Sequence, residues 1–133
     1  KVKQSSHPTT AQDYEMLAHT RFFDDAFNNI EKYKDDDTEL VFLMQQYGIV
    51  VVAQWFREKQ SLDISQCKQH LAGVMARYIK SNPNPDAAVS FVRKAFDRTL
   101  QNEAANELAD WKEWKSELPV FEKSVLELVG RSA

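Results

Sequence analysis

Apolar positions recur at spacings of three, four and seven along most of this chain, and one stretch is apolar almost without interruption. That stretch, Leu40 to Phe56, reads LVFLMQQYGIVVVAQWF, with Gln45, Gln46 and Gln54 as its only polar side chains. It predicts a buried central helix around which the other helices pack. Ile49 to Val52 is rich in β-branched residues and by local propensity could be a strand. No second strand-like run exists for it to pair with, and an isolated strand leaves its backbone groups unsatisfied, so helix is the expectation. Gly48 then falls in mid-helix at a cost of about 1 kcal/mol relative to Ala, which a close helix crossing there would offset.

The flanking segments carry the helical period more clearly. Met16, Phe23, Ala26, Phe27 and Ile30 share a stripe with His19, which predicts a first helix from Thr9 or Thr10 to about Tyr33. Asp36, Asp37 or Thr38 can cap the next. Asp63 followed by Gln66 has the spacing of a capping box, ahead of a helix whose stripe is Ile64, Cys67, Leu71, Val74, Met75 and Tyr78. Ser81 to Pro85 ends it, because residues that precede proline are pushed out of the helical region. Asp86 is the expected cap of a helix carrying Val89, Val92, Phe96 and Leu100. The same phase runs on through Ala104, Leu108, Trp111, Trp114 and Leu118. A single helix from 86 to 118 would be about 50 Å long at 1.5 Å per residue, too long for the body, so a break is expected near Gln101 and Asn102. Pro119 suits the first turn of a last helix with Phe121, Val125, Leu128 and Val129 inside and Gly130 as its stop.

The fold class expected is therefore all-α, a bundle of five or six helices around a central apolar helix. Residues 1–9 form a flexible lead-in and 10–130 a single domain. Length and composition agree: 133 residues, 43% hydrophobic and 28% charged, describe a single soluble globular unit. With only 3 Gly and 4 Pro there are too few turn signals for an all-β architecture. The apolar run is shorter than the roughly 20 residues a membrane span needs, and it follows three consecutive aspartates, so no span is expected. One cysteine, Cys67, gives no intramolecular disulfide, and a cytoplasmic location is the default. Because the first residue is Lys1 rather than Met, the chain is expected to be a fragment or processed form, with any targeting segment left open.

Charge divides the chain. From Asp13 to Glu39 nine acidic residues face three basic ones, whereas Arg57 to Arg98 holds eight basic and four acidic. Lys68, Arg77, Lys80, Lys94 and Arg98 could gather into a phosphate-binding patch if the two middle helices were antiparallel, with Arg93 neutralised by Asp97. An ordinary solvated face is the simpler reading, given a net charge of −3 and no nucleic-acid motif. Cys67 and His70 are two potential zinc ligands where a structural site needs four, so no metal or other cofactor is expected. The acidic cluster at 35–37 is not an EF-hand, since the twelfth position counted from Asp35 is Gln46 rather than Glu. No phosphate-binding glycine loop, nucleophile elbow or His-Glu-x-x-His motif is present, and His19 near Asp24 and Asp25 does not amount to an acid–base pair.

Trp111 and Trp114 are the most suggestive apolar pair. Their phase with Leu108 and Leu118 favours the core; the second reading, with Lys115 covering the Trp111 ring, is that they anchor a partner. The expected function is a noncatalytic protein–protein interaction module or small subunit of a complex, its partner another protein or a second copy. The alternatives are a nucleic-acid-associated subunit using the basic middle, and a ligand carrier or enzyme with a pocket between helices near His19 or His70.

Overall fold

Asp36 opens the centre of the molecule. Its carboxylate accepts from the Glu39 amide at 3.1 Å and so satisfies one of the free donors at a helix start. In this computed structural model, which describes residues 11–130 and the side chains of 20–130 apart from Glu103, the helix so capped is α2 (Asp37–Tyr47). Ahead of it runs α1 (Ala11–Tyr33). After it come α3 (Ile49–Gln60), α4 (Ile64–Ser81), α5 (Pro85–Gln101), a 3-10 turn (Glu103–Glu107) and α6 (Trp111–Leu128). Among the described residues there are six α-helices and no strand, an all-α bundle. The lead-in and the start of the first helix at Thr9 or Thr10 lie outside the described residues, as do the side chains of Met16 and His19.

The apolar run is two helices rather than one. Gly48 separates them with φ 109° and ψ 147°, a backbone conformation that only glycine adopts without strain, and the two axes diverge by 118°. The elbow is held from outside. Thr99 of α5 presents Oγ1 to the Ile49 amide at 2.7 Å and donates its own hydroxyl hydrogen to the Ala95 carbonyl at 2.7 Å. Asn102 Nδ2 donates to the Tyr47 carbonyl at 2.7 Å. A donor at the start of α3 and an acceptor at the end of α2 are thus both satisfied by the end of α5. Gly48 is therefore not the mid-helix glycine expected, and a Cβ there would stand 3.5 Å from the Thr99 Cα, an ordinary contact.

The elbow is also the core. Leu40, Val41, Met44, Ile49, Val50, Val51, Val52 and Trp55 are almost fully buried, because α2 and α3 are covered by the amphipathic helices around them. α2 packs on α1, α3, α4 and α5, while α6 closes the far side against α4 and α5. No single helix among the described residues is long and apolar enough to cross a membrane. Only α2 and α3 taken together reach that length, across the sharp bend.

Local signals set most helix ends. The capping box at α4 forms in full, with Asp63 Oδ1 accepting from the Gln66 amide at 2.8 Å and Gln66 Oε1 accepting from the Asp63 amide at 2.9 Å. At α5 the cap is Asn84 rather than Asp86: its Oδ1 accepts from Ala87, and Pro85 takes the first helical position, where its missing N–H costs nothing. The expected break after Gln101 is present, but the last helix does not begin at Pro119. It begins at Trp111 and carries Pro119 inside it. Burial of Trp111, Trp114, Leu118 and Phe121 on one face offsets the helical hydrogen bond that the proline forgoes, and the ring itself faces solvent.

Candidate functional site

Two helices of the bundle leave a furrow between them. Along α4, Ser65, Lys68, Gln69, Ala72 and Gly73 line one wall; along α6, Glu117, Val120, Phe121, Ser124, Glu127 and Leu128 line the other, enclosing about 740 Å³. Small residues make the space, for Ala72 and Gly73 hold the α4 wall back. Two large apolar side chains stand at its mouth in water, Val120 at 66% exposure and Leu128 at 51%. Lys68 and Glu117 form an ion pair that ties α4 to α6.

Two of the basic residues, Lys68 and Arg77, do not share a face, whereas Arg77 and Lys80 border the same shallow depression. Lys68 and Arg77 are nine residues apart, roughly two and a half helical turns, and so lie on opposite sides of α4. Lys68 turns to Glu117 on α6. Arg77 turns to α2, where its Nε and one terminal nitrogen grip the Asp37 carboxylate at 2.7 and 3.1 Å. That hydrogen bond to Asp37 raises the pKa of Arg77 above its ordinary value. Arg93, expected to meet Asp97, reaches Glu122 on α6 at 3.6 Å. Lys80, Lys94 and Arg98 are exposed.

Trp111 and Trp114 are in the core, at 8% and 1% exposure, and Trp114 packs on Phe121 with ring centroids 5.8 Å apart. Neither indole presents a face to a partner, and Lys115 is exposed beside them. The cation–π contact found among the described residues is Lys32 over Tyr33. Asp110, at the start of α6, leaves its capping role unfilled and pairs instead with Arg57 of α3 at 2.5 Å.

His70 borders a smaller surface pocket of about 280 Å³ with Lys34, Asp35, Phe56, Gln60 and Leu62. Its ring lies against Phe56, centroids 4.8 Å apart. Partial burial, and next the nearby Arg77 charge, push its pKa below the usual histidine value. Cys67 is fully buried and directs its thiol to the Ala53 carbonyl at 3.6 Å. Burial raises its pKa to about 11, which removes the thiolate that a nucleophile or metal ligand requires. No group of three His, Cys, Asp or Glu side chains among the described residues could hold a metal.

The furrow was not visible in the sequence. Leu128, which the helical phase places inside, is exposed, and Leu126 is buried in its stead. Val120 was out of phase with the buried Leu118, Phe121 and Val125, and that was the one available signal. Comparison with protein-family models, curated proteins and solved structures finds no match to the chain.

Proposed function

We propose that this chain is a noncatalytic interaction module and that it receives its partner in the furrow between α4 and α6. The observation that carries this reading is the pairing of a long, mostly apolar groove with two exposed large aliphatic side chains at its mouth. Such side chains lose water only when something covers them, at roughly 25 cal/mol per Å² of apolar surface removed. The buried tryptophans, first candidates as anchors, take no direct part in this reading; they hold α6 in place. Nucleic-acid association has less support, because two of the five cations proposed for it are already engaged by carboxylates. A ligand carrier or enzyme would use the smaller pocket that His70 borders with Lys34, Asp35 and Gln60, about 280 Å³ against about 740 Å³ for the furrow.

The test is fluorescence anisotropy with a panel of labelled amphipathic helical peptides, on the wild type and on two variants. Binding that is lost in Val120→Asp/Leu128→Asp and retained in Leu100→Asp, whose leucine is exposed on α5 away from the furrow, supports the reading. Binding indifferent to both variants, or none at all, overturns it.

A further inference from the structure

The half-buried Asn102 stands at one break in the helical chain and reaches another. The first break is the elbow at Gly48; the second lies between α5 and the 3-10 turn that leads to α6. Its side-chain amide serves both. Nδ2 donates to the carbonyl of Tyr47, the last residue of α2, at 2.7 Å. Oδ1 accepts from the Ala104 amide, at the start of the turn, at 3.0 Å. The two partners fix the orientation of the amide, because only the nitrogen can face a carbonyl and only the oxygen can face an N–H.

Each bond has a fixed frame behind it. Tyr47 is held at its far end, where its hydroxyl accepts from Asn29 Nδ2 of α1 at 3.0 Å and its ring meets Phe22 edge-on. On the other side of the elbow the Ile49 amide donates to Thr99, one turn before Asn102 on the same helix. The turn is tied to the backbone of Asn102 as well, since its carbonyl accepts from the Ala105 amide at 3.1 Å. If the end of α2 moves away, Nδ2 loses its acceptor; if the turn swings out, Asn102 is drawn with it and Tyr47 loses its donor.

We infer that Asn102 couples the two breaks, so that the elbow between α2 and α3 and the turn between α5 and α6 open as one local unit. A displacement of α6 is then transmitted to the centre of the core through one side chain. This coupling is a property of the fold and does not depend on the docking reading above.

Native-state hydrogen exchange, followed residue by residue by NMR, tests it. Asn102→Asp keeps an acceptor for Ala104 and deletes the donor to Tyr47, and it leaves the Ile49 amide its own acceptor in Thr99. The expected result is exchange about tenfold faster at both Ile49 and Ala104, with the buried Met75 in the middle of α4 unchanged. Gly48→Ala strains the elbow from the opposite end of the link and is expected to speed exchange at Ala104 as well. Wild-type exchange at Ile49 and Ala104 in Asn102→Asp, or a rise at only one of them, overturns the inference. An equal rise at Met75 also overturns it, because the whole fold rather than a local unit is then opening. Should Asn102→Asp fail to fold, Gly48→Ala decides alone: exchange at Ala104 that stays at the wild-type rate overturns the coupling.

Discussion

Replacing Gly48 by alanine separates two architectures by the sign of its effect. In one continuous helix from Leu40 to Phe56, glycine would be a weak point, and alanine would stabilise by about 1 kcal/mol. At an elbow with φ 109° and ψ 147°, alanine instead brings a Cβ into a backbone region that is nearly exclusive to glycine, at about 1–3 kcal/mol. Collision is not the source of this cost, since the new Cβ would meet Thr99 at 3.5 Å and its hydroxyl at 3.6 Å, ordinary contact distances. A second substitution probes the same elbow from the other side. Thr99→Val keeps the shape of a side chain that is 1% exposed and deletes the oxygen that accepts from the Ile49 amide. A buried N–H left without a partner costs about 1–3 kcal/mol. Thr99→Ser retains the oxygen and loses one methyl group, near 1 kcal/mol. Urea unfolding monitored by circular dichroism measures all three, as shifts of the midpoint at constant slope. If Gly48→Ala raises the midpoint, or Thr99→Val leaves it unmoved, the elbow and its anchoring by α5 are wrong.

Two further outcomes follow from the packing. Because burial raises the folded pKa of Cys67 to about 11 from the ordinary thiol value of 9.0, the unfolded chain ionises first. The stability this provides is therefore complete below pH 9 and is lost as pH climbs from about 9 to 11. Cys67→Ala should flatten that part of the stability–pH curve, and a native thiol that reacts with a disulfide reagent within seconds at pH 8 would contradict the burial. Trp114→Ala should cost about 3–5 kcal/mol in urea unfolding, whereas Leu100→Ala should stay within about 0.5 kcal/mol; comparable effects at the two sites would mean that α6 does not close the core as described.

Short-range chemistry was readable wherever it acted within a few residues. Asp63 and Gln66 meet through one helical turn, the Ser81 to Pro85 stop works through backbone sterics, and Asp36 caps a helix whose first amides it can reach. Readings failed where a distant element decided the result. The phase of α5 promised Leu100 to the core, yet Thr99 is buried there, because the elbow between α2 and α3 needs a hydroxyl at that height. Arg93 chose Glu122 over Asp97 because α6 lies within its reach. Lys68 and Arg77 share a stretch of sequence and not a face, since nine residues amount to about two and a half turns of α4.

The sequence by itself determined that this protein would be helical and that most of Leu40 to Phe56 would be buried, Phe42 being the exposed apolar exception. Both follow from periodicity and from the free energy of removing apolar side chains from water, which depend on residue type and local spacing. Whether that run stays straight was decided by the tertiary structure. A glycine is permitted to bend and not compelled to, and the bend holds because Thr99 and Asn102, some fifty residues away in the chain, satisfy the two backbone groups it exposes. The furrow has the same origin: it lies between α4 and α6, and a space between two helices belongs to neither sequence segment.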